Sequence, residues 1–358
     1  MRCCRRLRFL LLLLTLWHLP EVYVSVIFYH APIFTNSAFH FKIIVSVAAY
    51  WTPGRPLEYL FRLLDEYEKS FASIYNVHVC VDTNSKELSS ILSNRRPTQS
   101  TREVRVWSLE ELEGDPENLP RMHRHYWEER KNEFDFFIFT EDDILFSLEA
   151  FNMYITHRQA LQDKGWTFGW VIVEMWGRDN KTLVAIDNLE SRAIKTVFET
   201  PDGQFWSEPW SPYTAHYVLD QDELRMMIDD ETVWSLGFPA IDTRANIAMG
   251  YNYKYSGNLS SNPFGARGWQ SRALVPISRD CKVEQPGGII RHLPSKYAKS
   301  SKIITNNDCI YGGPERKKWG SGSNLDCTYG RIPLSRVFLC HEVEPEVLPV
   351  WPEGAKLN

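Results

Sequence analysis

Three consecutive carboxylates, Glu141, Asp142 and Asp143, follow closely on the apolar run Phe136 to Phe139. A short apolar run bounded by polar residues reads as a buried strand, so the acids stand where the chain leaves it. In extended backbone successive side chains alternate, which sends Glu141 and Asp143 to one side and Asp142 to the other. Two carboxylates can then converge on one ion. Three negative charges at a strand end repel one another unless a cation or an array of donors offsets them. Hard divalent ions such as Mg2+ and Mn2+ take oxygen ligands of this kind, usually one or two carboxylates completed by substrate phosphates. The plainer use of the same acids is to cap the helix that follows Ser147. Their place behind a buried strand in an alternating series favours the metal.

That series begins at Lys42 to Tyr50, a near-continuous apolar run expected of a strand buried on both faces. Thr52-Pro53-Gly54-Arg55-Pro56 breaks it, and Leu57 to Ile74 then repeats apolar residues at helical spacing (Leu60, Leu63, Leu64, Tyr67, Phe71). Val77 to Val81 is a second buried strand, followed by a short helix from Lys86 to Ser93 and a third strand from Glu103 to Trp107. A helix from Leu119 to Phe134 leads into a fourth strand, Asp135 to Thr140, which ends at the acids. Leu148 to Lys164 reads as a helix and Thr167 to Trp176 as a strand. The order predicts an α/β fold, a three-layer sandwich with helices on both faces of a mostly parallel central sheet. In such sheets ligands bind beyond the carboxyl ends of the strands. After Asn180 the pattern shortens: strands Thr182 to Ile186 and Ala193 to Glu199, a Trp/Pro-rich loop Phe205 to Tyr213, a strand Thr214 to Leu219 and a helix Asp222 to Ile228.

The 358 residues carry a net charge of −5, which excludes nucleic-acid binding driven by overall charge. Thirteen Trp residues imply many rings committed either to the core or to ligand platforms. Arg2, Arg5, Arg6 and Arg8 precede the apolar run Phe9 to Trp17, and a second apolar patch extends to Tyr29. This reads as a signal anchor or a signal peptide, with the arginines kept on the cytoplasmic side. Either way, residues from about 40 onward are expected in the secretory lumen. An oxidising lumen agrees with four late cysteines, Cys281, Cys309, Cys327 and Cys340, among which at least one disulfide is expected and three pairings are open. Cys80, inside a strand, is expected to be a free buried thiol. Asn180 and Asn258 begin glycosylation sequons.

Residues 41 to about 300 resemble the GT-A-fold glycosyltransferases, which use nucleotide-diphosphate sugars and hold a divalent metal with a DxD-type motif. Glu141-Asp142-Asp143 matches that motif with Glu replacing the usual first Asp. The resemblance implies Asp143 as a metal ligand, Glu141 beside it, and Asp142 toward the donor. The first strand and its turn, including Ala48 and Tyr50, resemble the nucleotide-base site, and Asp82 resembles the acidic residue that contacts base or ribose. Arg121 and Arg124 lie on the helix before the motif, in reach of a diphosphate. Family members often supply a late histidine to the same metal; His292, between Ile289-Ile290-Arg291 and Leu293-Pro294, fits that slot. The implied cofactor is Mn2+ or Mg2+, with the nucleotide sugar as cosubstrate.

Acceptor recognition falls to the aromatic, Pro-rich stretch holding Trp206, Trp210 and Tyr213, because sugars stack on indole and phenol rings. If the reaction inverts the anomeric centre, a carboxylate base is required. Asp242 is the candidate and Glu208 the reserve. The implied organisation is an anchor with a short stem over residues 1–40, a GT-A-like catalytic domain over 41–298, and a Cys-containing extension over 299–358. Expected partners are the nucleotide sugar, a glycan, protein or lipid acceptor, and the membrane through the N-terminal segment. Two other readings stay open: a lumenal metal-dependent hydrolase using the same acids, and a non-catalytic carbohydrate-binding domain on the same fold.

Overall fold

The structure is a computed structural model that describes residues 41–97, 99–163, 167–176, 182–185, 197–200, 202–207, 216–229, 273–279, 282–294 and 332–333. Along the chain run β1 (Lys42–Ala49), α1 (Glu58–Asp65), β2 (Asn76–Thr83), α2 (Lys86–Asn94), β3 (Thr101–Val106), α3 (His123–Glu129) and β4 (Phe136–Glu141). They are followed by β5 (Ile144–Leu145), α4 (Leu148–Gln162), β6 (Thr167–Phe168), β7 (Val171–Trp176), β8 (Thr182–Ala185), β9 (Val197–Glu199) and β10 (Phe205–Ser207). Last come β11 (His216–Asp220), α5 (Gln221–Asp229), β12 (Ala273–Ile277), β13 (Ile289–His292) and β14 (Ile332–Pro333).

The central sheet has the spatial order β11-β4-β1-β2-β3. β1 through β4 are mutually parallel, and β11 closes the edge antiparallel to β4. Every β1 side chain from Ile43 to Ala49 is buried, the pattern of a strand covered on both faces. One face packs Ile43, Val45 and Val47 against Leu60 and Leu63 of α1 and Phe151 of α4. The other packs Ile44 and Ala48 against Tyr126 and Trp127 of α3 and Leu224 of α5. The fold is therefore α/β, three layers about a mostly parallel sheet. Two helix starts, those of α2 and α4, are marked by side-chain caps: Ser85 and Ser147 accept from the backbone N–H of Leu88 and Ala150.

Two smaller sheets extend this body, in the orders β14-β8-β7-β13-β5 and β6-β12-β10-β9. β13 runs parallel to β7 and antiparallel to β5.

Four elements differ from the periodicity reading. The helix expected over Leu57 to Ile74 is α-helical only to Asp65, then π-helical over Glu66–Ser70 and 3-10 over Phe71–Ser73. The wider π turn coincides with burial of both Tyr67 and Glu68, which a regular helix would place on different faces. The helix expected from Leu119 instead begins as a 3-10 turn, Pro116–Arg121, because Pro120 has no N–H to donate. The strand Thr167 to Trp176 divides at Gly169 and Trp170 into β6 and β7, which join different sheets. Finally, the start of the Trp/Pro-rich loop is strand β10, paired on both edges.

Cys80 is buried with a free thiol, as its strand position implies. The N-terminal segment, the late cysteines and the sequon asparagines Asn180 and Asn258 lie outside the described residues, within which no helix is long and apolar enough to cross a membrane.

The packing makes one stability prediction. Trp127 is fully buried, and its indole N–H donates to Ser46 Oγ on β1 at 2.8 Å. Trp127→Ala removes a large ring and leaves that hydroxyl without its partner, and should cost about 3–5 kcal/mol of unfolding free energy in a urea titration. A loss below about 1 kcal/mol would mean that α3 is not anchored through this ring.

Candidate functional site

The sheet order reverses between β1 and β4: the chain leaves β1 toward β2 and β3, then returns to β1's other side as β4. At such a switch point the loops beyond the carboxyl ends diverge and leave a crevice. β1 ends there at Ala49, and β4 ends in the three acids. The β1–β4 ladder runs up to the motif itself, since Ala48 is in register with Glu141 and Asp142 N–H donates to Ala48 O at 3.1 Å. Thr140 Oγ1 donates to Ile144 O at 3.0 Å and ties off the turn formed by the acids.

His292 reaches this turn by strand pairing. β5, directly after the acids, pairs with β13 so that Ile144 is opposite His292, and Leu293 N–H donates to Asp143 O at 2.8 Å. His292 Nε2 stands 3.3 Å from Asp143 Oδ2. On the parallel side of β13, Arg291 is in register with Val173, so Glu174 is the next position beside His292. Its carboxylate accepts a hydrogen bond from His292 Nδ1–H. Asp143, His292 and Glu174 are 7%, 5% and 1% exposed, so the three groups interact with little solvent between them. Burial opposes a charge on His292, but the hydrogen bonds and charges of Asp143 and Glu174 outweigh it and lift the imidazole to about 9.

Asp142 points elsewhere. Its carboxylate pairs with Arg55 Nη2 at 2.8 Å. Burial pushes Asp142 up to about 8, opposed by Arg55 and reinforced by the charges of Asp143 and Glu141. Glu141 is half-buried at the end of β4. Tyr50, 37% exposed, stands just past β1, while Ala48 is buried. Asn84 clamps the ends of β1 and β2 together, its Oδ1 accepting from Trp51 N–H at 2.8 Å and its Nδ2 donating to Trp51 O at 3.1 Å.

Other expected residues are placed differently. Asp82 is buried, and its Oδ1 accepts from Trp107 Nε1–H at 2.8 Å and faces Arg105 Nε at 3.3 Å. Burial raises it to about 6 against both partners, so it offers a base or ribose no open carboxylate. Trp206 is a core residue rather than an acceptor platform. It is 0% exposed, packs edge-on to Phe168 and His157, and donates its indole N–H to Thr200 Oγ1. Its position in β10, between β9 and β12, explains the burial. Arg121 Nη2 bonds Glu113 Oε2 at 2.5 Å, and Arg124 is buried against Tyr217. His123-Arg124-His125 is an HxH sequence on a helix that turns one imidazole in and the other out, so the two do not share an ion. Trp210, Tyr213, Glu208 and Asp242 lie outside the described residues.

Glu174 and Arg55 are the site residues that sequence reasoning missed. Glu174 had a signal: a lone carboxylate inside Val171 to Trp176 must find a partner once the strand is buried.

The arrangement suits a divalent cation. Adjacent ligands of an octahedral ion stand about 3 Å apart, close to the 3.3 Å between Asp143 Oδ2 and His292 Nε2. With Nδ1–H held by Glu174, a neutral His292 directs its Nε2 lone pair at the shared position. Among the described residues no group of three or more His, Cys, Asp or Glu is arranged to hold a metal, so the remaining ligands would come from substrate or water.

The sequence matches no family model and no curated protein. Among solved structures the chain is similar to the crystal structure of S. aureus TarS 1-349, at 16% identity and a TM-score of 0.31. That match covers 59% of this chain and 55% of the other, so it spans little more than half of either.

The charge balance predicts a pH response of metal-stripped protein. His292 rises from its ordinary 6.5 to about 9, so its contribution to stability is whole below pH 6.5 and lost as pH climbs through about 9. Thermal unfolding in EDTA should show the melting temperature falling across that window, with a smaller fall in Glu174→Gln. An identical slope in wild type and variant would show that His292 is not held by Glu174.

Proposed function

We propose that the protein is a metal-dependent glycosyltransferase of the secretory pathway that moves a sugar from a nucleotide-diphosphate donor to a glycan, protein or lipid acceptor. The observation that carries this reading is the pairing of Asp143 with His292 at the carboxyl edge of a parallel sheet, beside its switch point. A divalent cation bound there, Mn2+ or Mg2+, supplies Lewis-acid stabilisation of the diphosphate leaving group.

The chain's own residues supply the rest. Asp143 contributes an anionic oxygen, and His292 a neutral nitrogen whose tautomer Glu174 fixes. Oxygen and nitrogen together suit Mn2+ better than Mg2+. Low exposure of all three groups keeps the local dielectric low, which strengthens their action on developing charge. Tyr50, exposed just past β1, is the proposed contact for the nucleotide base. Trp210 and Tyr213 remain the proposed acceptor contacts, with Asp242 or Glu208 as the base of an inverting reaction. The arginine-flanked apolar N-terminus supports a single-pass Golgi or endoplasmic reticulum anchor with the catalytic part lumenal.

A panel of nucleotide sugars screened with Mn2+ by thermal shift identifies the donor, because a selective ligand stabilises the folded state by mass action. With that donor, Asp143→Asn keeps the side chain's size and removes its charge. Turnover should fall at least ~100-fold, equivalent to about 2.7 kcal/mol of transition-state stabilisation. His292→Ala should lose less, since water can replace one neutral ligand. Unchanged turnover in Asp143→Asn would remove the reading.

A further inference from the structure

The chain leaves β1 through Thr52-Pro53-Gly54-Arg55-Pro56. Arg55 N–H donates to Thr52 O at 3.0 Å, closing a four-residue turn with Pro53 second and Gly54 third. Gly54 has φ +87°, the left-handed value that a type II turn demands at its third position. A Cβ added there meets nothing within 4 Å, so the backbone angle and not crowding calls for glycine. Pro53 presets the turn's second residue, and Pro56 confines Arg55 toward extended backbone. The segment is stiff, and the long side chain it presents is a cation.

That cation is aimed across the switch point. Arg55 Nη1 donates to Tyr50 O at the end of β1, and Nη2 donates to Asp142 Oδ1 at the end of β4. A guanidinium has five N–H donors in a planar fork, of which these bonds engage two, and the Arg55 side chain keeps 33% of its surface exposed. While Asp142 is largely buried, the contact leaves the Arg55 head group partly in solvent. Its position gives it a second use. Consecutive acids at this strand end repel an anion, and Arg55, bonded to Asp142, offsets them while offering a fork shaped for phosphate oxygens.

We infer that Arg55 grips a diphosphate group from the β1 side of the crevice, with Asp142 as the tether that positions it. The inference deepens the function proposed above and rests on that crevice taking a diphosphate. Asp142 then acts through Arg55 and makes no contact with the donor itself.

Calorimetric titration of the full chain with inorganic pyrophosphate, UDP and GDP, each with Mn2+, tests it. Arg55→Ala should weaken binding of pyrophosphate and of the preferred nucleotide by a similar factor, at least about tenfold. Mn2+ affinity and melting temperature should stay at wild-type values. Arg55→Lys, which keeps the charge without the fork, should fall between the two and serves if the alanine variant does not fold. Pyrophosphate binding unchanged in Arg55→Ala, or an equal loss of Mn2+ affinity, overturns the inference. Wild-type protein that binds pyrophosphate through Arg55 but refuses both nucleotides upholds it and defeats the glycosyltransferase reading. Nucleotide binding indifferent to Arg55 does the reverse, and binding of none of the three probes removes both.

Discussion

The pairing of two short strands, β5 and β13, holds the candidate site together. β5 is two residues long and begins one residue after Asp142-Asp143 makes its turn, so it has no freedom to drift from the motif. Its partner β13 arrives from nearly 150 positions later and sets His292 opposite Ile144. The same strand lies parallel to β7, which places Glu174 on the far side of His292. Three segments remote in sequence thus meet at one imidazole. A slip of one residue in either ladder would turn His292 to the opposite face of its sheet, because side chains alternate with period two. The turn that feeds β13 leaves little room for error: a Cβ on Gly288 would stand 2.8 Å from Glu284 O.

Electrostatics explains why that geometry is worth maintaining. Glu141, Asp142, Asp143 and Glu174 lie around one crevice end, and all are at least half-buried. Such a concentration of carboxylates is unfavourable without cations. The chain supplies Arg55 to Asp142 and the His292 imidazole to Asp143 and Glu174. A protonated His292 satisfies its two neighbours when no metal is bound; a divalent cation would take over that role and leave the imidazole neutral.

Much of the frame was legible in the sequence because apolar runs fix buried strands almost residue by residue. Ile43 to Ala49 and Phe136 to Phe139 lie where their patterns put them, and the acids fall at a carboxyl edge for the same reason. Helix interiors were less legible: spacing alone could not announce the π turn at Glu66 or the break imposed by Pro120. The partners of His292 were out of reach, since register between β13 and β7 is a tertiary fact. Trp206 misled because an indole in a Pro-rich aromatic stretch looks like a platform, whereas three-stranded pairing around β10 makes it core.

The proposed metal site requires that Asp143 and His292 share one divalent ion. Electron spin echo spectroscopy of the protein loaded with Mn2+ addresses it directly, since nitrogen bound to manganese modulates the echo. A shared ion should give a single imidazole nitrogen coupling in wild type, its loss in His292→Ala with the ion still bound, and failure of Asp143→Asn to retain the ion. Tightly bound manganese without nitrogen coupling, or a coupling that survives in His292→Ala, would contradict it.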